Sequence, residues 1–113
     1  KARMTLKFEI LDCGLAYCKN TYQDVLETGL SPYALARSIV NNMAGIREVS
    51  VWATFTELED GKIIIELRSS GKNVNQIAVK YGGGGHLQAS GATISGYDEL
   101  ELVIKDLTEL AKE

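Results

Sequence analysis

His86 is the chain's one histidine, and it stands directly after Gly82, Gly83, Gly84 and Gly85. Each glycine costs the folded chain backbone entropy, so four in succession need a reason beyond connection. Main-chain N–H groups without a Cβ in the way can turn toward a common point and form a concave nest for an anion, for which phosphate is the natural guest. The following "HLQAS" then reads as a helical turn whose N-terminal amides and positive dipole end face the same anion. His86 at the rim can donate to a phosphate oxygen, and because imidazoles titrate near neutral pH such a contact is pH-sensitive. Arg68, at the end of an alternating run just before Ser69, can add a fork of donors. A plainer reading stands beside this one. Gly82 caps a helix, the other glycines close a flexible turn, and Arg68 and His86 are solvated. Spacing alone leaves both open. It does exclude the G-x-G-x-x-G dinucleotide fingerprint and the P-loop, which ends in Gly-Lys-Ser/Thr.

The elements that must position these residues follow from periodicity and capping. Leu6, Phe8 and Ile10, then Leu15 and Tyr17, alternate on either side of "DCG" and predict a hairpin over residues 4 to 18. Thr21 with Asp24 opens a short helix over "YQDVLE" that Gly29 stops. Ser31 as N-cap and Pro32 at the first helical position start a second helix with Leu35, Ala36, Ile39 and Met43 on one face and Gly45 past its end. "VSVWATF" and "IIIELR" are strands joined through Asp60-Gly61, a dipeptide favoured in tight hairpin turns. Ile63, Ile65 and Leu67 face one side of the second strand, and Lys62, Glu66 and Arg68 the other.

Asn73 and Gln76 resemble a capping box, and Val74, Ile77, Ala78 and Tyr81 recur at helical spacing, so a two-turn helix delivers the chain into the glycines. Tyr81 is expected to pack its ring under the loop. "GATIS" reads as a strand, and Leu100, Val103, Ile104, Leu107, Leu110 and Ala111 mark a C-terminal amphipathic helix. Trp52 either stacks on a base or covers a helix. The intermixed elements predict an α+β (α/β) domain, a mixed sheet of about five strands with helices packed on it.

The totals bound what such a domain can do. At 113 residues with 45% hydrophobic and 24% charged content, the chain fits one globular domain. A net charge of −3 argues against a broad basic surface for long duplex nucleic acid, so an anion site must be local. No apolar run approaches the ~20 residues of a membrane span, and no charged-then-apolar leader opens the sequence, so a soluble protein without membrane contact is expected. Cys13 and Cys18 are too few for a structural zinc site and are read as reduced thiols of a cytoplasmic protein. The start at Lys1-Ala2-Arg3 without methionine is read as a piece of a longer chain.

The string "RSSGKNVNQIAVKYGGGGHLQASGATI", residues 68 to 94, resembles the signature of the DHH-associated domain, the C-terminal substrate-binding domain of DHH-family phosphoesterases. Arg68-Ser69 after a strand, Val74-Asn75 before a short helix, Gly82 to His86, and then Ala89-Ser90-Gly91 carry the likeness. "ARSIVNNMAGI" and the hairpin before it are similar in order to the branch of oligoribonucleases that double as adenosine 3′,5′-bisphosphate phosphatases. Cyclic-dinucleotide phosphodiesterases and RecJ-type single-strand exonucleases are related branches.

The resemblance implies that residues 1 to 113 are a substrate-binding domain that holds a phosphate of a nucleotide or of short single-stranded RNA or DNA. Arg68, Ser69, Gly82, Gly83, Gly84, Gly85, His86, Ser90 and Gly91 are the implied contacts. Ser90 stands where the family often has alanine, so its hydroxyl is expected to face the site. The resemblance further implies that hydrolysis belongs to a separate N-terminal domain whose Asp-His-His triplet helps hold two manganese ions. This chain has no such triplet, and Asp12, Asp24, Asp60, Asp98 and Asp106 fall at turns or on the last helix, so no catalytic or metal-binding residue is expected in it. The alternative is a stand-alone nucleotide- or RNA-binding module without a catalytic partner, such as the related domain of alanyl-tRNA synthetase-like proteins.

Overall fold

The computed structural model describes residues 8–113. Leu6 and the first part of the predicted hairpin lie outside them. In chain order the elements are β1 (Phe8–Ile10), β2 (Leu15–Asn20), α1 (Tyr22–Thr28), α2 (Pro32–Asn42), β3 (Val51–Glu57), β4 (Ile63–Ser69), α3 (Asn75–Lys80), β5 (Gly84–His86), β6 (Ala89–Ile94) and α4 (Tyr97–Lys112). The strands form one mixed sheet in the order β1-β2-β3-β4-β6-β5. Among the described residues only β2 and β3 run parallel, and α1 and α2 form the crossover that parallel neighbours require. Among the described residues the sheet has six strands where the sequence predicts about five. The added one is β5, three residues long and built mostly of glycine, which leaves no alternating pattern to read.

Local chemistry sets the helix ends. Thr21 and Asp24 make the full reciprocal capping box at the start of α1, with bonds of 2.9 and 3.1 Å. Ser31 Oγ accepts from Ala34 N at 3.1 Å at the start of α2. For α3 only half of the expected box is found, Gln76 N donating to Asn73 Oδ1 at 3.3 Å. The hairpin turn between β3 and β4 is one residue longer than the Asp60-Gly61 dipeptide suggests: Leu58 N donates to Lys62 O at 2.7 Å, enclosing Glu59, Asp60 and Gly61.

Alternation along the strands splits the core into two layers. Leu15, Val51, Ala53, Phe55, Ile63, Ile65 and Leu67 pack with α3 and α4 on one face. Ala16, Cys18 and Trp52 pack with Val25 of α1 and Leu35, Ile39 and Val40 of α2 on the other. Central β3 is buried along almost its whole length, as a strand covered on both sides must be. Trp52 covers a helix. It is 8% exposed and its Nε1 donates to Val40 O at 2.9 Å, so its ring is part of the α2 layer and is not offered to a base.

Candidate functional site

The segment that carries Gly82 to His86 is held at both ends. Upstream, the ring of Tyr81 packs against the α3/α4 core, and its hydroxyl donates to Asp106 Oδ2 at 2.6 Å. Lys80 Nζ reaches the same oxygen at 2.9 Å. Downstream, the Leu87-Gln88 turn binds the β4–α3 connection: Val74 N donates to Leu87 O at 2.8 Å and Ser69 N to Gln88 O at 3.0 Å. Burial pushes the Tyr81 phenol well above its ordinary range, with the Asp106 hydrogen bond and the charges of Asp106 and Glu99 acting in the same direction.

A pKa raised on folding means that the proton is held more tightly in the native chain. The associated stability is therefore complete below the usual phenol range and is lost as pH rises through it. Melting temperature is expected to fall above about pH 10. Tyr81→Phe should flatten part of that fall, and a melting series from pH 8 to 11 on both proteins checks it.

The structure departs from the sequence reading at the loop itself. "HLQAS" is not a helical turn. Residues Gly84–His86 and Ala89–Ile94 form the antiparallel pair β5/β6 around Leu87 and Gln88, with Gly84 opposite Gly91, Gly85 opposite Ser90 and His86 opposite Ala89. No helix dipole therefore points at His86. Nor do all the glycine amides converge on one point: Gly82 N donates to Val79 O at 3.0 Å and Gly83 N to Ala78 O at 2.8 Å, so both are spent on closing α3.

Three of the four glycines are required by the fold, one by its backbone angle and two by packing. Gly82 has φ of +87°, which disfavours a side chain. A Cβ on Gly83 would stand 2.0 Å from Gly91 O, and one on Gly85 would stand 2.6 Å from Ala89 O. These two positions let β5 lie tightly against β6. Gly84 has neither a positive φ nor any atom within 4 Å of where its Cβ would be. Nothing inside the fold demands a glycine there.

Strand register brings Arg68 and His86 together. Arg68 pairs with Ala89 across β4/β6, and Ala89 pairs with His86 across β6/β5, so the three form one row with their side chains on one face. The adjacent row on that face is Glu66, Gly91 and Gly84. This is the face covered by α1 and α2 farther along the sheet, but those helices pack over β2, β3 and β4 and leave β6 and β5 bare. The result is a floor of Ala89, Gly91 and Gly84 bounded by an arginine and an exposed histidine. Two strand spacings put the Arg68 and His86 Cα atoms about 10 Å apart, room for one small anionic group between their side chains.

Two predicted contacts lie elsewhere. Ser90 pairs with Leu67 and points to the opposite, α3-covered face, where it is 4% exposed. Its hydroxyl accepts from Asn75 Nδ2 at 3.1 Å and donates to His86 O at 2.5 Å, so it braces the strand that carries His86. Ser69 is also buried, and its hydroxyl is engaged by Lys72 O and Gly71 N, which shapes the turn after β4.

Sequence reasoning placed Glu66 on the outer side of its strand but gave it no role. Its Oε1 accepts from Arg68 Nη1 at 3.2 Å, and both side chains are about one-fifth exposed. The i, i+2 spacing of an acid and a base on one strand face was the available signal. Arg68 Nη1 also donates to Leu67 O at 3.0 Å, which holds the guanidinium against the sheet.

A groove of about 700 Å³ is in a different place. It lies between α1 and the β3–β4 turn, lined by residues such as Tyr22, Leu26, Leu30 and Leu58, and carries no basic side chain. Among the described residues no group of three or more His, Cys, Asp or Glu is placed to hold a metal ion, and no helix is long and apolar enough to cross a membrane.

The class defined by this architecture is α+β, with a mixed sheet and helices on both of its faces. The chain belongs to the DHHA1 domain family, which matches residues 22–113. It is 38% identical over 91 residues to the bifunctional oligoribonuclease and PAP phosphatase NrnA of Bacillus subtilis, a match covering 80% of this chain and 29% of that relative. It spans less than a third of the length of each curated relative it matches. Among solved structures, an exopolyphosphatase-related protein from Bacteroides fragilis superposes with a TM-score of 0.79 at 28% identity, covering 95% of this chain and 33% of that one. The C-Ala domain of Aquifex aeolicus alanyl-tRNA synthetase superposes with a TM-score of 0.63 at 18% identity, covering 97% of this chain and all of that one, a likeness of fold.

Proposed function

We propose that this chain is the substrate-gripping domain of a cytoplasmic phosphoesterase that hydrolyses short oligoribonucleotides and adenosine 3′,5′-bisphosphate, and that it holds a substrate phosphate on the bare face of β6 and β5, beside Arg68 of β4. The observation that carries this reading is the Arg68–Ala89–His86 row, which sets an arginine and a histidine on one sheet face at either side of a small-residue floor that α1 and α2 leave bare. Family membership and the activity of the oligoribonuclease and PAP phosphatase relatives support the substrate class.

Arg68 supplies charge and two-pronged donors to the phosphate. His86 closes on it from the strand edge, and Gly84 lets the ligand approach the main chain of β5. The N–H groups of an edge strand that point away from its neighbour are the main-chain donors available there. This replaces the four-glycine nest as the binding element. Ser90 and Asn75 hold β5 in register from below. Hydrolysis is assigned to a separate Asp-His-His domain carrying manganese, and the contribution of this chain is to fix the substrate in position, which can lower a barrier by several kcal/mol.

The test is calorimetric titration of the chain with adenosine 3′,5′-bisphosphate and with a diribonucleotide. Binding that inorganic phosphate competes away supports the reading. Absence of binding by both at roughly millimolar concentration contradicts it.

A further inference from the structure

Beside the proposed phosphate position the sheet carries a carboxylate, Glu66, of which one oxygen is paired with Arg68 and the other is open to a donor on the ligand. Glu66 spends Oε1 on Arg68, and no hydrogen bond from a described residue reaches Oε2. That second oxygen leans over the neighbouring strand, 3.6 Å from where a Cβ on Gly91 would stand. The next residue in the row is Gly84, so the ground in front of Glu66 has no side chains at all.

Gly91 is required by the fold, because its Cβ would meet Ile65 O at 2.9 Å, whereas Gly84 is not. A half-buried carboxylate with one free oxygen, aimed over an open floor one residue pair away from an arginine, fits the hydroxyl of a sugar attached to the bound phosphate. A carboxylate accepts from a hydroxyl in a strong, charge-assisted bond. The 2′-hydroxyl is the group by which a protein distinguishes ribose from deoxyribose.

We infer that Glu66 is a specificity residue that accepts a hydrogen bond from the ribose 2′-hydroxyl through Oε2, so that the site favours ribonucleotides over deoxyribonucleotides. This rests on the phosphate reading above. Arg68 then links two halves of the ligand, touching the phosphate while holding the carboxylate that reads the sugar. Without the hydroxyl, Oε2 faces the ligand with no donor while Oε1 stays paired with Arg68, so a deoxyribonucleotide loses a bond and leaves a carboxylate oxygen desolvated.

The experiment compares adenosine 3′,5′-bisphosphate with its 2′-deoxy counterpart on the wild-type chain, on Glu66→Ala and on Glu66→Gln, by calorimetry. The wild type should bind the ribo form about tenfold or more tighter, the magnitude of one hydrogen bond to a charged group. Glu66→Ala should bring the ratio close to one by losing ribo affinity and gaining deoxy affinity, and Glu66→Gln should fall between. A merely structural role in holding Arg68 would weaken both ligands equally and leave the ratio unchanged, which overturns the inference. Equal wild-type binding of the two ligands also overturns it, and both of these results leave the phosphate reading intact. Failure of either ligand to bind the wild type removes the phosphate reading and this inference with it.

Discussion

Arg68→Ala is expected to weaken binding of adenosine 3′,5′-bisphosphate by roughly ten- to a hundredfold while leaving the melting temperature within a few degrees of the wild type. A hydrogen bond to a charged group contributes about 1.5–3 kcal/mol, which sets the range. Fold stability should change little, because the arginine belongs to neither core layer and its protein partners are one carboxylate and its neighbour's carbonyl. The loss should also remove much of the salt dependence of binding, since the guanidinium is the fixed positive charge at this corner. His86→Ala should act in the same direction with a smaller effect, because its imidazole offers one donor where the guanidinium offers a fork. Calorimetry at two salt concentrations measures all of this. Unchanged affinity in both variants would remove these residues from the site.

The glycines give the second large effect, and here two adjacent positions should behave oppositely. Gly83→Ala places a methyl group 2.0 Å from the Gly91 carbonyl oxygen and 2.6 Å from Ala92 Cβ, contacts that cannot be relieved without parting β5 from β6. Forcing extra volume against backbone is expected to cost about 3 kcal/mol or more, a fall of roughly 10 °C or more in melting temperature for a domain of this size. Gly84→Ala meets no atom within 4 Å and requires no unusual backbone angle. It should melt at or slightly above the wild-type temperature, since alanine narrows the unfolded ensemble. Yet if a phosphate seats against β5, that same methyl group stands in its way, so Gly84→Ala should lose ligand affinity without losing stability. Thermal melts paired with calorimetry separate the two: a Gly84→Ala protein that is stable and binds normally would place the ligand elsewhere.

Much of the fold can be read from the sequence because the signals are local. Thr21 and Asp24 are three residues apart and cap each other. Ser31-Pro32 starts α2, and the spacing of Leu100, Val103, Leu107, Leu110 and Ala111 already describes the buried stripe of α4. Strand β5 was not legible, since Gly84 and Gly85 carry no side chains to alternate and its existence depends on pairing with Ala89 to Gly91.

The site divides along the same line. Arg68 and His86 stand out by residue type, but that they share a row depends on the register of three strands. The serines fail as ligands for a related reason: at Ser69 and Ser90 the period of two turns the hydroxyls to the buried face, where Lys72, Gly71, Asn75 and His86 main-chain and side-chain groups occupy them. Glu66 is the converse. Its side of the strand was predictable, but its free oxygen over Gly91 became visible only once β6 lay beside β4.

The central claim is that the ligand phosphate docks on the bare face of β6 and β5 beside Arg68, and site-resolved amide NMR during titration with adenosine 3′,5′-bisphosphate tests it most directly. The account predicts shifts concentrated at Arg68, Gly84, Gly85, His86 and Gly91, with α1 silent. Shifts confined to Tyr22, Leu26, Leu30 and Leu58 in the large groove, with β5 unmoved, would contradict it.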